Sequence, residues 1–428
     1  MKSSMLKEEL HMHEVKRLNA DHAVDLVTLG QQAYTANATE SKEKLDEIIE
    51  KTKKNLARDD RKYYGVMQAD KLIGSMQLYD YEMNVFGRFL KTGGLSSVAV
   101  DLLHKKERIA KSMVEYYLKH YDDAGYTFGV LYAFRPDFYH QMGFGYGTKM
   151  DQYQIAPHAF PNFGYKGDLV YLQEKDLDLL VDCYNRFAAQ HHGAMKKVAE
   201  QYEWMIQKPN FKYVGIEKDG HLTGYVVFSF MKREDANNTL SNNIMVHEFV
   251  YTDDDDLRQL CTFLHSQKDQ VHRIFFQTQD EAFHHLLTDP RDGSDNKIPF
   301  VYHQTNISGV GLMYRVINVK RFFMNLSEHR FGQSNLTVNF DIRDSFYETN
   351  ESEVTVKFNA GKPTVIQGAK PDVNVTIDIA DFSSLVMGVV DFDKLHLYGK
   401  ISLDDPSYVE KLTDLFHTKE KPICLTNF

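Results

Sequence analysis

Cysteine is scarce: the 428 residues hold three, Cys183, Cys261 and Cys424, far apart and without a C-x-x-C pair. That spacing excludes a disulfide framework and a zinc knuckle and fits a reducing compartment. Long apolar runs are missing as well; no stretch approaches the roughly 18 residues of a membrane span. The N-terminal MKSSMLKEELHMHEVKRL carries charges where a signal peptide needs an apolar core. A cytoplasmic chain with no membrane partner is expected. Positive charge is in deficit, with 50 Lys+Arg against 60 Asp+Glu and a net charge of −10. This argues against nucleic acid as a partner and suits a cationic small molecule. No H-x-x-x-H or H-E-x-x-H spacing occurs, so no metal is expected. The adjacent pairs His191-His192 and His284-His285 point to different faces and read as surface or packing residues. A Gly-x-Ser-x-Gly elbow and a Walker loop are absent too.

What is present is a folded composition, 43% hydrophobic and 13% aromatic, in a chain long enough for two to four domains of roughly 100–200 residues. It also repeats itself. KYYGVMQADKLIGSM (62–76) and KYVGIEKDGHLTGYV (212–226) share Lys, Tyr, Gly, Leu and Gly at the same places, 150 residues apart without a gap. Both read as hairpins. Each is followed by a strand (95–100; 244–251), a charged turn, a helix (to about Tyr121; LRQLCTFLHS), a strand (127–133; 273–278) and a short helix. We read a duplicated α/β unit, 1–155 and 156–305. The remainder, 306–428, alternates strands at 336–342, 353–358, 373–379 and 395–403 with helices near 381–389 and 406–416, an α+β pattern. The single tryptophan, Trp204, reads as a helix anchor of the second copy or a residue of a substrate cleft.

The charged turns differ. HKKERIA (104–110) in the first copy puts Lys105, Lys106 and Arg108 at a strand-to-helix junction, where free N–H groups and the helix dipole favour an anion such as pyrophosphate. A solvated helix start is the plainer reading. The second copy puts Asp253 to Asp256 at the equivalent place, which repels phosphate; without the spaced ligands of a calcium loop it reads as an N-terminal charge cluster.

With these residues in place, the first copy resembles the GNAT superfamily of N-acetyltransferases. GGLSSVAV (93–100) is similar to the family's bulged central strand, HKKERIA falls at its pyrophosphate loop, and FYHQMGF (138–144) matches its Tyr-x-x-x-Gly-Phe segment. Two tandem GNAT-like units followed by a sterol-carrier-like domain resemble, over the whole chain, the enhanced intracellular survival (Eis) family. The implied fold class is α/β and α+β: two GNAT-like units, each a mixed sheet flanked by helices, then a sterol-carrier-like α+β domain at 306–428. The resemblance implies acetyl-CoA as co-substrate, its pantetheine arm along Val98, Ala99 and Val100. Its pyrophosphate would lie at Lys105, Lys106, Arg108, Ile109, Ala110 and Lys111. The family loop has glycine where this chain has Arg108, and often proline where it has Leu102. A right-handed helical φ is open to Arg108, and its guanidinium could pair with phosphate oxygens in place of the glycine's close approach.

Moving acetyl from a thioester to an amine of pKa near ~10 needs a base for the amine and an acid for the departing thiolate. The resemblance implies Tyr139 as the acid and the terminal carboxylate of Phe428 as the base. It further implies a primary amine of a cationic small molecule or lysine-like group as acceptor, and a homo-oligomer, a hexamer among the candidates. Gly143, Gly145 and Gly147 would let the turn after Tyr139 close without blocking the cleft. Tyr139 as a core aromatic, the chain end ICLTNF as a strand of its own sheet, and a non-catalytic CoA- or lipid-binding protein with a degenerate loop stay open as alternatives.

Overall fold

The two echoed hairpins form as strands Lys62–Gln68 with Lys71–Val85 and Phe211–Lys218 with His221–Lys232. Their pairing register agrees at the 150-residue offset, from Lys62 opposite Leu78 and Lys212 opposite Phe228 down to the turn. The register slips between Val66 and Met67 in one and between Ile216 and Glu217 in the other. Gly65 and Gly215 each leave room for a leucine of the opposite strand, Leu72 and Leu222. The computed structural model describes residues 13–428 except 59–60, 207, 234–240, 300 and 351. The side chain of Trp204, on helix Ala199–Ile206, lies outside the described residues.

Each hairpin belongs to a larger mixed sheet. In the first, strands Val15–Arg17, Lys62–Gln68, Lys71–Val85, Arg88–Val100, Phe128–Leu131 and Met313–Val316 lie in that order. In the second the order is Asn306–Gly309, Met150–Ile155, Val271–Thr278, Asn242–Tyr251, His221–Lys232, Phe211–Lys218 and Leu169–Tyr171. Strand Met150–Ile155 thus pairs in the second sheet, and Met313–Val316 closes the first. Our proposed divisions at 155 and 305 separate stretches of chain, not sheets. Helix Ile109–Asp123 buries Ile109, Met113, Tyr117 and Tyr121 on the first sheet, and helix Asp254–His265 covers the second.

The C-terminal portion is a five-stranded sheet, Lys362–Ile366, Ser352–Asn359, Leu336–Arg343, Val373–Asp378 and Ile401–Leu403, with helices Val319–Asn325, Ile379–Val386, Phe392–Leu397 and Val409–Phe416. One expectation fails here. The stretch 395–403 is not one strand: Phe392 and Leu395 are buried one helical turn apart, Leu397 and Tyr398 are exposed, and Gly399 turns the chain at φ 69° before Ile401–Leu403.

The glycines after Tyr139 serve a purpose other than the one expected. A Cβ on Gly143 would strike the Arg315 guanidinium, one on Gly145 the Ala380 carbonyl and Ser384, and one on Gly147 the Leu312 carbonyl. Arg315 is fully buried, donates to Met142 O and pairs with Asp344 at 2.6 Å. Gly145 and Tyr314 exchange backbone bonds of 2.7 and 3.0 Å. The three glycines admit the returning strand and the C-terminal domain against the first sheet.

Candidate functional site

A tyrosine explains where the first sheet opens. Strands Arg88–Val100 and Phe128–Leu131 run parallel with only Thr92–Phe128, Gly93–Gly129 and Gly94–Val130 in register. Tyr117 reaches in from its helix, donates to Gly93 O at 2.7 Å and accepts from Val130 N–H at 3.0 Å. Glycine at 93 and 129 makes room for Tyr121 and Tyr117. Beyond that point the strands part. The central strand is bulged there: Ser75 faces Ala99 but Gln77 faces Ser96, and Ser97 takes φ 51°. Val98 and Val100 pack against the cluster that holds Ile109 and Tyr139, and Tyr34 donates to Val98 O at 2.9 Å.

The loop at the end of this strand is fixed by Asp101, which caps the turn Leu102–His104 and pairs with Lys71 at 2.6 Å. That ammonium and the Leu103 N–H hold its carboxyl below the usual range. Lys106 and Arg108 then adopt φ 72° and 61°. Arg108, the residue before the first helical residue, Ile109, thus takes the left-handed conformation, not the right-handed one that the sequence left open. A side chain in this region costs about 1–3 kcal/mol. Lys105, Lys106, Arg108 and Lys111 are exposed and make no ion pair with a described residue, while Glu107 is engaged by His104 at 2.9 Å. A bulged edge leading to a helix start with uncommitted cations fits a pyrophosphate-bearing thioester.

Tyr139 lies on helix Pro136–His140, is 3% exposed, and packs edge-on against Phe134, Phe138 and Phe144. Its hydroxyl makes no hydrogen bond to a described residue. Burial, with Tyr34 nearby, pushes the phenol's pKa up, so it stays protonated at every physiological pH. It is a core aromatic with a protonated hydroxyl that no described residue engages.

The chain end is docked, though not as a strand: 421–428 have no regular structure. Its backbone is held by side chains and a carbonyl of other segments. Ile423 N–H bonds His192 O at 2.9 Å, Cys424 N–H bonds Gln279 Oε1 at 2.6 Å, and Tyr132 donates to Thr426 O at 3.0 Å. The Phe428 ring sits among Tyr79, Tyr81 and Tyr132 at 5.7, 5.3 and 5.3 Å. Tyr132 follows strand Phe128–Leu131 directly and Phe134 leads to Tyr139, so both proposed proton-transfer residues border one short segment. No hydrogen bond or ring contact joins them to each other. The aromatic seat went unread in the sequence, although Tyr79 and Tyr81, two apart on one strand, share a face.

The second unit repeats the opening with other chemistry. Its strands are in register at Asn242–Val271, Ile244–Ile274 and Met245–Phe275, and the bulge falls at His247, between Val246 and Glu248. At the helix start Asp253 caps Asp256 N–H at 2.8 Å, and Lys218 sits within 2.9 Å of both Asp255 and buried Asp256. A phosphate has no place there. Glu248, at the bulge, is buried with Lys197, Tyr202 and Tyr225.

Residues 14–147 and 191–316 each match an acetyltransferase (GNAT) domain, and 319–425 match a sterol carrier protein domain. No curated protein matches. Among solved structures, the chain is similar to a GCN5-related N-acetyltransferase from Anabaena variabilis, at 15% identity and TM-score 0.79 over 97% of this chain and 100% of that one. A probable N-acyltransferase from Enterococcus faecalis (17%, 0.77, 97% and 99%) and Eis1 from Mycobacterium abscessus (19%, 0.75, 97% and 100%) share the fold. Among the described residues no helix is long and apolar enough to cross a membrane, and no group of three or more His, Cys, Asp or Glu is placed to hold a metal.

Proposed function

Because this chain is an acetyltransferase of two GNAT domains and a C-terminal sterol carrier protein domain, an Eis-like layout, we propose that its first unit acetylates a primary amine of a cationic small molecule or a lysine-like group. GNAT domains use acetyl-CoA as co-substrate, which supplies the acetyl group as a thioester. Val98, Ala99 and Val100 would hold its arm along the unpaired strand edge. Lys105, Lys106, Arg108 and Lys111, with the first N–H groups of helix Ile109–Asp123, would hold its pyrophosphate.

The Phe428 carboxylate accepts the amine's proton, directly or through a water, as the nitrogen attacks the acetyl carbon. Tyr139 gives its hydroxyl proton to the sulfur as the C–S bond breaks. Two protons move at two separate atoms, which suits an acid and a base that do not touch each other. The observation that carries this reading is the seating of Phe428 in the first unit's aromatic pocket beside the strand opening.

The test is to mix the protein with acetyl-CoA and a series of primary amines and follow release of free thiol. Amine-dependent release supports the reading. A protein that binds acetyl-CoA by titration calorimetry yet releases no thiol with any amine overturns it.

A further inference from the structure

The largest cavity described in the molecule is not in the first unit. It is about 920 Å³, the size of a small-molecule site, and it opens where the second unit's strands part, the place that corresponds to the first unit's cofactor cleft. Its floor is aromatic: Phe249, Tyr251, Phe276 and Phe283 line it, with Phe276 stacked on Phe283 at 4.5 Å. Its lining holds five carboxylates (Glu248, Asp280, Glu281, Asp391, Glu420) and three lysines (Lys394, Lys419, Lys421); with Glu248 paired to Lys197 and Glu281 to Lys421, Asp280, Asp391 and Glu420 face Lys394 and Lys419, a small acidic excess. Lys421 is already engaged by Glu281 at 2.8 Å. Leu257, another lining residue, belongs to the helix that begins at Asp254, so the anion-binding end of this cleft is filled by carboxylates around Lys218.

Part of the wall is the C-terminal tail, beside Phe187 of the second unit and Val389 and Val390 of the C-terminal domain. Ile423 and Leu425 line the cavity, while Thr426 and Phe428, beyond them, meet Tyr132 of the first unit. Both residues that hold the tail's backbone here, His192 and Gln279, are themselves cavity lining.

We propose that this cavity is a second ligand site, for an amphipathic cation carrying no phosphate, and that a ligand there stiffens the tail that seats Phe428. Aromatic rings and carboxylates attract an alkylammonium and penalise an anion. A ligand touching His192, Gln279, Ile423 and Leu425 contacts the tail and its two anchors together, which gives the coupling a physical route. The consequence for catalysis rests on the proposed role of Phe428; binding and tail order do not.

The probe is decyltrimethylammonium below its micellar concentration, a cation whose nitrogen cannot be acetylated. Titration calorimetry on the full chain should show saturable binding, with decanoate about tenfold weaker or more. Leu286→Trp, which fills the cavity, should abolish it; Asp280→Asn, a milder exposed change, should weaken it by roughly threefold. Both variants should bind acetyl-CoA as wild type does. Saturating probe should slow carboxypeptidase release of Phe428 severalfold, and fail to do so in Leu286→Trp. Decanoate binding as tightly as the cation, or undiminished probe binding in the folded Leu286→Trp protein, overturns the site. An unchanged release rate at saturation overturns the coupling. Neither readout uses acetyl transfer, so a failure here is distinct from a failure of the proposed activity.

Discussion

The two GNAT units share a skeleton and differ in charge. Hairpin register, bulge and strand opening recur between them, down to the leucine over a strand glycine. At the helix start, however, one presents exposed Lys105, Lys106 and Arg108, and the other wraps Asp253, Asp255 and Asp256 around Lys218. Gly74 admits Ile109 in the first, and its counterpart Gly224 lies against Asp256 in the second. Backbone geometry is therefore the shared part, and a few side chains at one turn set the opposite charge of the two clefts.

The sharpest break in that symmetry is the proposed proton donor, since the second unit's turn Phe283–Leu286 contains no tyrosine. Tyr139→Phe should lower kcat by about 10²–10⁴-fold while acetyl-CoA affinity holds. Its hydroxyl makes no hydrogen bond to a described residue, so the melting temperature should not change. The raised phenol pKa predicts further that kcat in the wild type shows no alkaline fall up to pH 9. A wild-type kcat in the mutant would remove Tyr139 from the mechanism.

The tail comes next. A short C-terminal extension, or deletion of Phe428, should slow transfer by about 10–10²-fold. The defect should ease as pH rises from 6 to 9, because more of the amine is already neutral. Equal rates for extended and native ends across that range would make the docked end structural. Charge at the loop should matter somewhat less. Lys105→Glu with Lys106→Glu should weaken acetyl-CoA by about tenfold or more, each charge-assisted contact being worth roughly 1.5–3 kcal/mol at most when exposed. Asp254→Asn with Asp255→Asn in the second unit leaves Asp253 and Asp256 around Lys218 and adds no cation, so it should create no acetyl-CoA site; a second site by calorimetry would show that carboxylate repulsion alone separates the two clefts.

A smaller effect lies where the three portions of the chain meet. Phe86 is stacked between His192 and His329 at 4.2 and 4.3 Å. Burial lowers both imidazoles to about 4. The unfolded chain, titrating near 6.5, then binds more protons than the folded one between those values, so stability is lost as pH falls from about 6.5 toward 4. The loss should be on the order of 1–2 kcal/mol per histidine at pH 5, read from urea midpoints, and should shrink in His329→Gln. A pH-independent midpoint would mean that the stack opens freely.

Much of this was legible because it is local. Period-two and helical patterns located the hairpins, the central strands and helix Ile109–Asp123, and the motif FYHQMGF located Tyr139. Long-range exchange was not legible. Nothing in Met150–Ile155 or Met313–Val316 says which sheet each will join, because either edge satisfies the same alternation. The purpose of Gly143, Gly145 and Gly147 depends on Arg315, Ala380 and Leu312, which lie more than 160 residues away in sequence. The stretch 395–403 misled for a different reason: a short apolar run fits a strand and a helical turn equally well until burial distinguishes them.

The smallest expected effect is the most discriminating for the loop. At Arg108 two terms oppose each other. Glycine would relieve a left-handed residue at φ 61°, worth about 1 kcal/mol in the folded state, and would lose part of that by loosening the unfolded chain. It would also remove an exposed cation from the proposed pyrophosphate site. Arg108→Gly should therefore raise stability slightly and leave acetyl-CoA affinity within about threefold of wild type. Arg108→Ala separates the terms, because it deletes the charge and keeps the strain. If the guanidinium is a mere bystander, Ala and Arg will bind alike and Gly will be the most stable of the three. If the guanidinium grips phosphate, both variants will lose about tenfold or more in affinity, and the positive φ will be the cost of aiming the arginine. A rise in affinity for glycine alone would show instead that the backbone, freed of its Cβ, makes the closer approach.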